Sequence, residues 1–184
     1  YRKDGSYLET HEGPSPHALL LDHALMATAP RRLVASGLTD ALAKYYEPRD
    51  NRLPGSHPLE ASALALGEQL FRLVIAHGTT AVKGIRGRLS PSRHAAHDAS
   101  ISLAGLIGEW GGKPYRHGLA HSLYGAWTFI GLTKSYLHGE LIGLGLLVEL
   151  ALSGKSASFH QLRNWMGECG LPMALPELAI YRTS

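Results

Sequence analysis

At 184 residues, with 45% hydrophobic and 18% charged residues, the chain has the make-up of a single globular domain, which excludes a globally disordered protein. Its net charge of +3 is small and its Lys and Arg are scattered, which argues against a nucleic-acid-binding module; the one basic run, Lys83 to Arg88, reads as a solvated helix end. A single cysteine, Cys169, excludes a disulfide framework and a Cys-based zinc cluster.

The N-terminus is polar and carries no signal-peptide pattern. The longest apolar stretch, Leu141 to Leu152, is broken by Glu149 and is too short to span a bilayer. The expectation is a cytoplasmic protein in a reducing compartment, with no membrane and no nucleic-acid partner. Eleven histidines are the compositional oddity, and they ask for a metal or acid/base explanation.

Along the chain, residues 1–22 read differently from the rest. Ser6 to Thr10 and the apolar run His17 to Leu21 are expected as short strands, the second of them buried, split by Gly13-Pro14-Ser15-Pro16. Two short strands form no independent sheet, so they need partners. From Asp22 the pattern is helical. Asp22 caps a short helix over 23–28, stopped before Pro30. Leu33, Val34, Leu38, Leu42 and Tyr45 share one face of a helix over 31–46, ended by Pro48 and Pro54-Gly55. A long helical pattern covers 59–87. Ser90-Pro91-Ser92 starts the next helix, with Ser92 a candidate N-cap, and it runs to about Trp110. After a Gly111–Pro114 loop come helices over 115–129, 137–152 and 156–169, the last stopped by Gly170 and Pro172. Gly143 and Gly145 in the apolar 137–152 helix predict close helix packing.

Three segments carry chemistry. Asp40 lies inside an Ala- and Leu-rich helix, where an acid costs propensity and desolvation unless something binds it. His117 and His121 lie four apart and share a helix face. His138 opens the most apolar helix, followed by Gly139-Glu140. A carboxylate and two imidazoles from three helices would suit Zn²⁺ or Fe²⁺ and leave positions open for water or a substrate oxygen. Each residue also has a structural reading: Asp40 paired with Lys44, His121 a hydrogen-bonded core residue, His138 a helix-start residue. His77, His94, His97 and His160 read as surface or helix-face residues, His11, His17, His23 and His57 as loop or helix-start residues, and Cys169 as a small buried hydrophobe.

The Ala35-Ser-Gly-Leu-Thr-Asp40-Ala-Leu-Ala-Lys-Tyr-Tyr-Glu47 run, Ala120-His121-Ser122 with Thr128, and Leu137-His138-Gly139-Glu140 with the Gly143–Leu150 helix come in order. Together they resemble the helical C-terminal domain of the glycerol dehydrogenase-like branch of the iron-containing alcohol dehydrogenase superfamily. The resemblance covers nearly the whole chain. It implies a mainly α, multi-helix fold of the iron-containing alcohol dehydrogenase/dehydroquinate synthase-like type with a short β remnant at the N-terminus. Residues 1–22 are then expected as remnant strands of a dinucleotide-binding domain, and 23–184 as the helical metal-binding domain, cut short at its C-terminus.

The resemblance implies Asp40, His121 and His138 as ligands of Zn²⁺ (or Fe²⁺), with His117 the rival to His121, and NAD(P) as the cofactor of the complete enzyme. It implies an alcohol or polyol substrate and a homo-oligomer. Lys44 stands where a related branch has a fourth ligand, which favours a three-ligand site. No Gly-x-Gly-x-x-Gly follows a strand here, so the nucleotide-binding residues are expected outside this chain, which alone should not turn over NAD. Thr39, Pro48 and Gly125-Ala126 depart from the family pattern. Two alternatives follow: a dehydroquinate synthase-like lyase, against which Asp40 stands where that branch has Glu, and a non-catalytic helical packing domain whose metal site has decayed.

Overall fold

The computed structural model describes residues 2–3, 6–8, 13, 15–50, 59–112, 115, 117–130 and 135–174. Its elements are α1 (His23–Met26), α2 (Arg31–Asp50), α3 (Glu60–Lys83), α4 (Pro91–His97), a π-helical turn (Asp98–Leu103), α5 (Ala104–Gly111), α6 (Leu119–Phe129), α7 (His138–Leu152) and α8 (Ser156–Glu168). The mainly α expectation holds, and no described residue lies in a strand. Residues 6–8 and 18–21 are irregular chain without a ladder partner. The expectation of a buried strand over 17–21 fails outright: Leu20 is 94% exposed. Its apolar composition made that run look like a buried strand, but a strand is held by hydrogen bonds to a neighbour, and none is present among the described residues. Residues 9–12 of the first expected strand, and 175–184 at the C-terminus, lie outside the described residues.

Local chemistry explains the helix ends. Asp22 accepts a hydrogen bond from the Leu25 N–H at 2.9 Å and caps α1. Ser90, not Ser92, caps α4: its Oγ accepts from the Arg93 N–H at 3.2 Å, with Pro91 in the first turn where no N–H is needed. The helix expected over 92–110 is α4, the π turn and α5 in unbroken succession. Pro48 does not end α2, which continues to Asp50. Proline removes only the one N–H that would reach the Lys44 carbonyl, close to the helix end. Arg49 braces the last turn: its guanidinium donates to the Tyr45 carbonyl, stacks 3.6 Å from the Tyr45 ring and pairs with Glu68 on α3. Gly170 ends α8 with φ +73°, and Leu171 N–H returns to the Met166 carbonyl at 3.0 Å.

Helix α7 is the centre of the molecule. It packs on α2, α6 and α8, while α3 covers the other side of α2 and carries α4 and α5. Its Leu141, Ile142, Leu146 and Leu150 are essentially inaccessible, each contributing about 1.5–3 kcal/mol by burial. Three glycines set how closely its neighbours approach. A Cβ on Gly139 would lie 1.9 Å from the Ser36 carbonyl oxygen of α2, one on Gly143 2.6 Å from Thr39 Cγ2, and one on Gly145 2.8 Å from Ala120 Cα of α6. The expectation from Gly143 and Gly145 is met, and Gly139 is the tightest of the three.

The Gly139 clash is backbone against Cβ, so no rotamer change relieves it. Gly139→Ala should destabilise the protein by about 1–3 kcal/mol or more, read by urea denaturation. Gly105→Ala, whose Cβ would meet nothing within 4 Å, should be neutral or stabilising by up to about 1 kcal/mol. Equal effects at the two positions would contradict this packing account.

Candidate metal centre

Close packing of α2, α6 and α7 brings three sequence-distant residues together. Asp40 projects from the middle of α2, His121 from the first turn of α6, and His138 from the first residue of α7. One ligand atom from each lies within 4.8 Å of the others, and among the described residues this is the group with metal-holding geometry. Asp40 Oδ1 is 3.1 Å from His138 Nε2 and 3.7 Å from His121 Nε2. The Oδ1 atom is buried and makes no hydrogen bond: His138 is near but out of line. A buried acceptor left unsatisfied is costly, and a cation between it and the two imidazoles would remove that cost. The donor set of one carboxylate oxygen and two imidazole nitrogens fits Zn²⁺ or Fe²⁺.

Burial works against ionisation of Asp40, but the His138 and His121 imidazoles, with Lys44 a smaller contributor, hold its carboxyl below the usual range. Its acid form is therefore disfavoured, as a ligand role requires. The pairing with Lys44 weighed from the sequence is the weakest of these influences.

Behind His121 sits Glu47, two helical turns after Asp40 on the same face of α2 and only 1% exposed. Glu47 Oε2 lies 2.7 Å from His121 Nδ1, and Oε1 accepts the His121 backbone N–H at 3.1 Å. One carboxylate thus caps the first turn of α6 and holds a proton on Nδ1, leaving Nε2 bare towards Asp40. Gly118 makes room for it: a Cβ there would fall 2.6 Å from Glu47 Cβ. Sequence reasoning quoted Glu47 only as the end of a motif. Its i+7 spacing from Asp40 was the available signal.

His138 is anchored through its neighbours. Gly139 N–H donates to Ser36 Oγ at 3.1 Å. Glu140, 5% exposed, accepts Leu137 N–H at 2.8 Å and receives a bidentate Arg32 from α2 at 2.6 and 2.7 Å. Burial opposes the Glu140 charge, but Arg32 and the Leu137 N–H outweigh it and lower the carboxyl's pKa. The start of α7 is clamped to α2 on both sides of the His138 side chain.

His117, the rival to His121, is exposed and stands outside the triad, its ring edge-on to His121 at 6.4 Å between centroids. It lines a cavity of about 410 Å³ with His121, Tyr124 and His138. Asp40 lines a second cavity, about 270 Å³, between α2 and the α4–π segment. Burial pushes the Cys169 thiol up to about 11, in keeping with its reading as a buried hydrophobe.

No model of a known family matches the chain. Individual relatives do. It is 30% identical to a glycerol dehydrogenase of Pseudomonas putida over 175 residues, 90% of this chain and 46% of that protein. It is 30% identical to a glycolaldehyde reductase of Halobacterium salinarum, over 97% of this chain and 48% of that one. The chain thus spans about half the length of the curated relatives it matches. The crystal structure of a probable glycerol dehydrogenase from Sinorhizobium meliloti superimposes with a TM-score of 0.88 at 27% identity, covering 99% of this chain and 53% of that one. Glycerol dehydrogenase from Schizosaccharomyces pombe, at 23% identity, shares the fold with a TM-score of 0.85. Sequence and fold agree with the motifs: this chain is similar to glycerol dehydrogenases over about half of their length.

Proposed function

We propose that the chain supplies the metal-holding half of a metal-dependent, NAD(P)-linked dehydrogenase acting on an alcohol or polyol, with Asp40, His121 and His138 as ligands of Zn²⁺ or Fe²⁺. The observation that carries this is the unsatisfied Asp40 Oδ1 facing two imidazole nitrogens. Relatives named as glycerol dehydrogenases support it. In this reading residues 1–22 lead in from a dinucleotide-binding domain, residues 23–184 form the metal-binding domain, and the complete enzyme is a cytoplasmic homo-oligomer. No helix among the described residues is long and apolar enough to cross a membrane.

The bound metal would act as a Lewis acid that lowers the pKa of a substrate hydroxyl. The chain's residues prepare the place for it. Asp40 stays ionised and contributes the negative charge. Glu47 keeps the His121 tautomer with Nε2 bare, and the Arg32–Glu140 clamp fixes where His138 enters the site. A bound nicotinamide cofactor would supply the hydride-accepting chemistry. Asp40, in place of a Glu, favours this reading over the dehydroquinate synthase-like lyase. The intact donor set with a buried acid behind it favours it over a decayed packing domain.

The test is metal uptake by the chelator-stripped chain, followed by calorimetry with Zn²⁺ and by the visible spectrum with Co²⁺. One equivalent should bind, and Asp40→Asn, His121→Ala and His138→Ala should each abolish stoichiometric binding, while His117→Ala leaves it within about twofold. Binding lost with His117→Ala but kept with His121→Ala would reverse the ligand assignment, and no stoichiometric binding would favour the packing domain.

Glu47→Gln keeps the shape but removes the charge behind His121. It should weaken metal binding by about 10- to 100-fold, with the fold checked by circular dichroism. An unchanged affinity would make Glu47 a cap of α6 alone.

A further inference from the structure

The cavity beside Asp40 has apolar walls, with Met26, Leu33, Val34 and Ile101 among them, and polar residues only at Asp40, His97 and Ser100. His97, expected from the sequence as a surface or helix-face residue, is 4% exposed. Its Nδ1 lies 3.2 Å from His23 Nδ1. The ring centroids are 5.4 Å apart with planes 21° apart, so the imidazoles meet nitrogen to nitrogen rather than face to face. Such a pair holds one proton between the two Nδ1 atoms.

A third group decides on which side that proton sits. His23 Nε2 lies 3.8 Å from Asp98 Oδ1. The carboxylate favours an N–H at His23 Nε2, which makes His23 Nδ1 the acceptor and His97 Nδ1 the donor. His97 Nε2 is then a bare acceptor, and no described group hydrogen-bonds to it. Burial, followed by the neighbouring His23, Arg93 and His94, lowers the His97 pKa and keeps the ring neutral, Asp98 opposing more weakly. Arg93 is itself committed to the Ala27 and Gly84 carbonyls, and His94 lies over the His23 ring at 4.4 Å.

Resting on the dehydrogenase reading, we propose that His97 anchors a second subsite: its Nε2 accepts a hydrogen bond from a distal hydroxyl of a substrate whose reacting oxygen lies at the Asp40 end of the cavity. The apolar walls take a short aliphatic stretch, so the substrate class is a diol with a hydrocarbon spacer. Asp98 and His23 are positioning residues, which act only by setting the His97 tautomer.

The test uses the whole chain with ¹⁵N-labelled histidine, loaded with Zn²⁺, and two probes, 1,6-hexanediol and 1-hexanol. Imidazole ¹⁵N shifts should show His97 protonated on Nδ1 and His23 on Nε2, and the diol should move the His97 Nε2 resonance while 1-hexanol does not. The diol should bind about three- to tenfold more tightly than 1-hexanol, and His97→Phe should abolish that preference. A proton on His97 Nε2, equal responses to the two probes, or no response overturns the proposal; the tautomer is read on the unaltered chain, whatever the fate of the variant. Metal uptake separates this from the parent reading: Zn²⁺ bound with the wrong His97 tautomer sinks the subsite alone. No Zn²⁺ bound, with the expected tautomer in place, sinks the dehydrogenase reading instead.

Discussion

The approach of α7 to α2 is the constraint on which the rest depends. Gly139 lies so close to the Ser36 carbonyl that a single carbon would separate the helices. That closeness brings Ser36 Oγ within reach of the Gly139 N–H and puts Arg32 opposite Glu140. It also sets His138, one residue earlier, 3.1 Å from Asp40. Side chains of ordinary size at positions 139 and 143 would widen the gap, and the two donors would no longer share a centre. Metal geometry tolerates little error, since the distances of N and O ligands are fixed within a few tenths of an ångström.

The third donor is placed by a different device. His121 belongs to α6, which meets α7 at Gly145 and touches α2 less extensively. Its register on α2 comes from Glu47, a buried carboxylate that holds both the His121 ring and its backbone N–H. Packing therefore positions two of the candidate donors, and a charge-assisted hydrogen bond positions the third. Burying Glu47 costs desolvation that two well-made hydrogen bonds offset, and His121 is a far better partner for it than water in so tight a place.

Much of this was legible in the sequence, for stated physical reasons. Helices with a clear apolar face, such as α3, appear as read, because period and burial coincide. The candidate donors drew attention because they break local rules, Asp40 among Ala and Leu and His138 ahead of an apolar run, while their expectation as ligands came from the resemblance. The misses share a cause as well. Pro48 was read as a stop because proline removes an N–H, yet near a helix end that loss is small and Arg49 ties the last turn to the Tyr45 carbonyl. His17 to Leu21 was read as buried because its composition is apolar, yet no neighbour covers it. The contact between His97 and His23 was not foreseen, for a pairing 74 residues apart in sequence leaves no local trace.

The position of Asp40 gives the site its directionality. It alone of the three donors lines the α2–α4 cavity, while His121 and His138 line the other. Asp40 therefore borders one cavity and the two imidazoles another, and the two differ in their lining. The His121–His138 side is ringed by imidazoles and by Tyr7 and Tyr124, groups that exchange hydrogen bonds with water or a polar cofactor. The α2–α4 side is apolar until His97. Burial against its apolar walls favours a hydrocarbon chain there, while the imidazoles and phenols of the other side offer it more polar company.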